Sequence, residues 1–101
     1  MDVNALMKQA KELQDKVAAA QDELAAMSLK GIAGNGLAIV ELDGKYNLQK
    51  LTLSPDLMKE AADDAAAVIT AAFMDAKAKV DATVDKVMGE ATSGMRLPTE
   101  A

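Results

Sequence analysis

Of the side chains that carry enzyme chemistry, this sequence holds carboxylates and lysines in quantity, but neither cysteine nor histidine occurs in its 101 residues. That removes disulfides, thiolate metal sites and cysteine nucleophiles. It also removes the side chain that titrates near neutral pH and is the commonest ligand of transition metals. What remains for catalysis is a carboxylate pair or a serine–lysine arrangement. The available pairs are Asp63-Asp64 and Asp81/Asp85, set among alanines and charged neighbours. They read as helix-start charge and solvated surface. No catalytic residue, metal ligand or cofactor is assigned, no small-molecule substrate is expected, and the chain does not read as an enzyme.

Phosphate binding is the other chemistry to weigh. The run GIAGNG, Gly31–Gly36, matches a dinucleotide fingerprint only superficially, because it precedes a β-type segment. A phosphate cradle needs its glycine turn to open a helix, so turn and bulge glycines are the better reading. Lysines are the second route. Lys8, Lys11 and Lys16 recur near the N-terminus, Lys77 and Lys79 late in the chain, and Arg96 is the one arginine. The overall balance opposes them, with 11 basic against 16 acidic residues and a net charge of −5. Nonspecific nucleic-acid affinity is mostly lysine and arginine neutralising phosphate. Lys8–Glu12, Lys11–Asp15 and Glu12–Lys16 are each four apart, so every lysine there has an acid within reach. Net charge is nonetheless a sum, whereas binding depends on which face the lysines share.

These residues need elements to position them. From Val3 to Met27 the residues Val3, Leu6, Ala10, Leu13, Val17, Ala20, Leu24 and Met27 alternate spacings of three and four. That is the narrow seam one helix presents to another. The helix would be about 35 Å long, capped by Asp2 or Asn4. SLKGIA then reads as a short edge strand broken by Gly34–Gly36. GLAIVEL and KYNLQKLTL follow, joined by Asp43-Gly44, a hairpin signal because both residues tolerate positive φ. Leu37 and Ile39 point to one side of the first of these strands, and Ala38, Val40 and Leu42 to the other. In the second, Tyr46 and Leu48 are out of parity with Leu51 and Leu53, which predicts a bulge near Gln49-Lys50 or a strand covered on both faces. SPDLMKE opens a short helix, with Ser54 as cap and Pro55 at the first position. A long helix from about Ala61 to Ala91 carries the stripe Ala62, Ala65, Ile69, Phe73, Ala76, Val80, Val84 and Val87.

The order predicts one α+β domain over residues 1–92: a long N-terminal helix, a three-stranded antiparallel sheet, a short helix and a long C-terminal helix. Residues 93–101 are expected to be a loosely held tail. The core is thin, with one Phe, one Tyr and no Trp, and both sheet faces are apolar. A small chain with a weak core is most simply completed by a second copy, so a homodimer is expected. The N-terminus lacks signal-peptide character, and no run approaches the roughly 20 apolar residues of a membrane span. A cytoplasmic protein without membrane contact is expected.

Five blocks in order are similar to the YbaB/EbfC family of bacterial nucleoid-associated DNA-binding proteins. They are LMKQAKELQDKV, GNGLAIVELDGK, LTLSPDLM, AAFMDA and SGMRLP, and they cover nearly the whole chain. The resemblance implies a homodimer joined through the sheet region, with long helices projecting like tweezer arms around duplex DNA. It implies a part in nucleoid organisation and gene regulation. It suggests Lys8, Lys11, Lys16, Lys77, Lys79 and Arg96 as DNA contacts, and Leu37, Ile39, Tyr46, Leu48 and Leu51 as dimer contacts. The chain departs from the family pattern at Ile39 and at Gln49-Lys50, where members often carry basic residues, at Met74, where asparagine is usual, and in the truncated ending LPTEA. With one arginine and no aromatic cluster, base-specific readout is hard to build. Two functions from different classes therefore stand side by side. One is a DNA-binding dimer with little sequence specificity, supported by the resemblance. The other is a dimeric protein-interaction scaffold without direct DNA binding, supported by the acidic balance and the lysine–acid pairing.

Overall fold

A computed structural model describes residues 2–93. Apart from Ser93, the expected tail lies outside the described residues, as does Arg96. The elements are helix α1 (Val3–Ala25), strands β1 (Leu29–Ala33), β2 (Ala38–Leu42) and β3 (Leu48–Leu53), a 3₁₀ segment (Pro55–Lys59) and helix α2 (Ala62–Ala91). The expected α+β order is thus the observed one. Asp2 caps α1, accepting from the Asn4 amide at 3.0 Å. Ser54 caps the 3₁₀ segment through Asp56 N–H, and Asp63 and Asp64 lie in the first turn of α2, where acids favour the helix dipole.

The sheet is antiparallel in the order β1-β2-β3. Between β1 and β2, Asn35 and Gly36 take positive φ of 55° and 94°, and Leu37 N–H donates to the Gly34 carbonyl. This Asn-Gly pair is the centre of a primed hairpin turn, whose twist matches the strands. The second hairpin forms where Asp43-Gly44 predicted it, but for other reasons. Positive φ falls on Tyr46, at 66°, and on neither Asp43 nor Gly44. Gly44 is needed for close approach instead. A Cβ there would sit 2.6 Å from the Leu24 carbonyl oxygen, to which the Gly44 N–H donates at 2.8 Å. The predicted bulge is present: Glu41 pairs with Lys50 and Leu42 with Leu48, leaving Gln49 as the extra residue.

Asp43 organises this turn. The residue is 4 % exposed, and its carboxylate accepts from the backbone N–H groups of Lys45 (2.7 Å) and Asn47 (3.0 Å). It also accepts from the side-chain amides of Asn47 (3.0 Å) and Gln49 (3.1 Å). These donors, the Asn47 amide first, hold its pKa below the ordinary value. A carboxylate with a depressed folded pKa stabilises fully above its unfolded value, about 3.9, and loses that contribution as pH falls through the folded value. Asp75 and Asp81, lowered by the Ile32 N–H and the Tyr46 hydroxyl respectively, act with the same sign. Asp43→Asn should therefore be less stable than the parent at pH 7 and show a flatter loss of stability between pH 5 and 3. Urea midpoints at pH 7, 4 and 3 measure this; parallel curves would remove the carboxylate from the account.

Cross-strand register puts Gly31, Ala38, Val40 and Leu42 on the face toward α2, and Lys30, Ile32, Ile39, Glu41, Lys50 and Thr52 on the other. The core on the α2 side comprises Ala38, Val40, Leu42, Leu57, Ala72, Ala76 and Val80. A second cluster joins Ala20 and Leu24 of α1 to Val87 of α2, and Val84 packs against both clusters. The long-helix stripe needs two corrections: Ala62, at the helix start, is exposed, and Ala72 is buried where Phe73 was expected, leaving Phe73 exposed. The cause of the second is Gly31, which lets β1 approach α2 so closely that only alanines fit beneath it. Only the C-terminal third of the α1 seam, Ala20, Leu24 and Met27, is packed on α2.

Candidate nucleic-acid interface

A principal extent of 68 Å against 30 and 17 Å reflects how the two helices are arranged. Lys16, Ala20 and Glu23 line one cleft with Val87, Glu90 and Ala91, while Leu24 sits further back against Val87. The helices therefore run antiparallel, and α2 ends about where Lys16 begins. The rest of α1 toward Val3 projects as an arm about 20 Å long, with every residue exposed from Asn4 to Glu12.

Lys8 and Lys11 stand on the arm, opposite its apolar seam. Lys11 pairs with Asp15 at 3.9 Å, and both side chains are well exposed, so the pair adds little and holds the lysine loosely. Lys16 is at the arm's root. Lys77 and Lys79 lie elsewhere, on opposite flanks of α2. Lys77 pairs with Asp81 at 3.1 Å, and Asp81 also accepts from the Tyr46 hydroxyl. That bond raises the Tyr46 pKa and keeps the phenol a donor. Lys79 pairs with Asp75 at 3.3 Å and donates to the Lys30 carbonyl at 2.7 Å, while Asp75 accepts from Ile32 N–H at 3.0 Å. Asp75 and Lys79 together cover the outer edge of β1, which would otherwise invite strand pairing. One protomer does not bring Lys77 or Lys79 beside Lys8 and Lys11.

Of the lysines not assigned as contacts from the sequence, three gather at the sheet, while Lys59 is on the 3₁₀ segment and Lys86 on α2. Lys30 and Lys50 flank Glu41 across three strands on the face away from α2, and Lys45 occupies the adjoining turn. None of the three forms an ion pair among the described residues. Only the pairing register of the three strands, bulge included, puts Lys30 and Lys50 on either side of Glu41.

The proposed dimer contacts fall on three surfaces. Leu37 packs against the core. Ile39 is on the face away from α2, opposite Ile32 and Thr52. Leu48 and Leu51 are on the α2 side, paired with Leu42 and Val40, yet 59 % and 43 % exposed. Helix α2 lies over β1 and β2 and leaves β3 beside it. Phe73, Lys77 and Asp81, spaced four apart, share the flank that meets Tyr46. Exposed Phe73 thus lies on the β3 side of the helix.

A family model described as the YbaB/EbfC DNA-binding family matches residues 1–95. The chain belongs to this family. It is 40 % identical over 101 residues to a nucleoid-associated protein of Rhodospirillum rubrum, covering 96 % of this chain and 92 % of that one. To a nucleoid-associated protein of Brucella ovis it is 43 % identical over 98 residues, with the same coverage. The crystal structure of an uncharacterised Helicobacter pylori protein superposes with a TM-score of 0.80 at 14 % identity, covering 89 % of this chain and 96 % of that one. As a YbaB/EbfC chain, it is a member of a DNA-binding family and not of an enzyme family. Its departures acquire local reasons. Gln49 is the bulge residue and donates to Asp43, and Met74 is exposed on α2.

Proposed function

We propose that this YbaB/EbfC chain acts as a homodimer in the bacterial nucleoid, gripping duplex DNA through its phosphates with little sequence readout, and so contributing to nucleoid organisation and gene regulation. The observation that carries the proposal is an uncovered apolar strip, Leu48 and Leu51 with Phe73 beside them, in a chain whose first helix carries its lysines outward on a projecting arm. The strip sits at the sheet edge that no side-chain hydrogen bond covers among the described residues, whereas Asp75 and Lys79 block the other edge. Two copies joined at β3 would carry two arms from one centre. Lys8 and Lys11 of both arms then supply cations on a scaffold too poor in arginine and aromatics for base recognition.

Titration of random-sequence duplex at several salt concentrations tests the grip. Lys8→Glu with Lys11→Glu should lower affinity at least tenfold at low salt. If each lysine of both subunits meets one phosphate, the slope of log K against log salt shrinks by roughly 3 to 4. An unchanged slope would take these lysines out of the interface. The scaffold reading is favoured by the ion pairs of Lys11, Lys77 and Lys79. Absent or salt-independent DNA binding by the parent protein would select it.

A further inference from the structure

The α1 seam has two halves with different fates. In heptad terms Val3, Ala10, Val17 and Leu24 occupy one core position, and Leu6, Leu13, Ala20 and Met27 the other. Ala20, Leu24 and Met27 are spent on Val84, Val87, Met88 and Ala91. Beyond the end of α2 the same stripe continues, with Val3 64 %, Leu6 46 % and the flanking Met7 65 % exposed. A coiled-coil seam in use at one end thus runs without interruption into an open one.

We propose that the open half-seam pairs antiparallel with the same segment of a second copy. One register satisfies it. Val3 meets Leu13 of the second copy, Leu6 meets Ala10, and the two-fold axis repeats both contacts. Shifting by one heptad in one direction would demand Ala20, already buried against α2; the other direction leaves only Val3 and Leu6 in the seam. The flanking positions agree with the choice. On one side Asp2 comes opposite Lys16 of the second copy and Gln9 opposite Gln9. On the other side the exposed Met7 comes next to Met7. Lys16 has Glu23 and Glu90 near it along its own cleft, but forms no ion pair among the described residues. Lys8, Lys11, Glu12 and Asp15 are on the opposite face and stay outside the pair. Arm pairing goes beyond the sheet-joined dimer: copies joined at both β3 and the arms form a chain of dimers or a closed ring, depending on the rotation between contacts.

The natural sequence has no cysteine, so single cysteines report position cleanly. Met7→Cys in the full chain, treated with a short thiol-to-thiol crosslinker, should link copy to copy. Glu12→Cys, on the outer face, should give at least tenfold less product. An equimolar mixture of Val3→Cys and Leu13→Cys should give mostly the mixed product, and Leu6→Glu should cut Met7→Cys crosslinking at least tenfold. Met7→Cys yields no higher than those of Glu12→Cys, or same-residue products only from the mixture, would overturn the pairing. Running the crosslinking with Leu48→Asp and Leu51→Asp added keeps the two interfaces apart. Crosslinking that persists there supports arm pairing even if the sheet-edge dimer proves wrong. An intact sheet-edge dimer with background crosslinking sinks arm pairing alone.

Discussion

Leu48→Asp together with Leu51→Asp should leave a folded subunit whose affinity for duplex DNA is about a hundredfold or more weaker than the parent's. In a single copy both side chains are already exposed, so the new carboxylates remain solvated and the core is untouched. In the proposed interface they would be desolvated in both subunits, at an effective penalty of several kcal/mol per ion. The dimer should therefore come apart at micromolar concentration. Separated subunits lose the advantage of placing two arms on one duplex, an advantage of about 10² to 10⁴ for linked sites of suitable geometry. Light scattering gives the mass, circular dichroism the fold, and fluorescence anisotropy at constant salt the affinity. A mass that stays that of a dimer would move the interface away from β3.

Gly31→Ala should destabilise the domain by about 3 kcal/mol or more, at the upper end of what overpacking costs. A Cβ at this position would lie 2.1 Å from the Ala72 carbonyl oxygen, 2.3 Å from the Ala76 amide nitrogen and 2.7 Å from the Ala76 Cβ. Two of those three atoms are helix backbone, which no rotamer change can move. Relief requires β1 and α2 to separate, and that separation opens the larger of the two core clusters along Val40, Leu42 and Val80. For a domain this small, 3 kcal/mol corresponds to a fall in melting temperature on the order of 15 °C. Against a total of about 5–15 kcal/mol for native proteins, much of the population should unfold on modest warming. Thermal melts of Gly31→Ala and of Gly36→Ala compare close approach with backbone conformation. A Cβ at Gly36 meets nothing within 4 Å, but the position requires a φ of 94°. A Gly31→Ala melt within a few degrees of the parent would show that the strand can lift off the helix cheaply.

Much of the fold was legible because periodicity is written residue by residue. The alternation of threes and fours from Val3 to Met27, the alternating apolar residues around Val40 and the parity break between Leu48 and Leu51 each led to an element that is present, the Gln49 bulge included. Turn chemistry was legible less well. Asp43-Gly44 marked the right hairpin, but its glycine serves packing against Leu24 and its aspartate serves as an acceptor for four donors. The positive φ went to Tyr46, held by its hydroxyl on Asp81, a residue 35 positions away. No local pattern contains that bond.

The lysines divide in the same way. Sequence determined how many there are and which acids stand four residues off; of the pairs read from it, Lys11–Asp15 forms, while Lys8–Glu12 and Glu12–Lys16 do not among the described residues. Tertiary structure decided that Lys79 is committed to the backbone of β1, that Lys30 and Lys50 share a sheet face, and that Lys8 stands on an arm beyond the end of α2. It likewise decided that Phe73 is left outside while Ala72 goes in. Which residues face the same way follows from the repeat of a helix or strand, a property of one segment. What covers them follows from how closely two segments approach, and in this chain that distance is set by a missing side chain at Gly31.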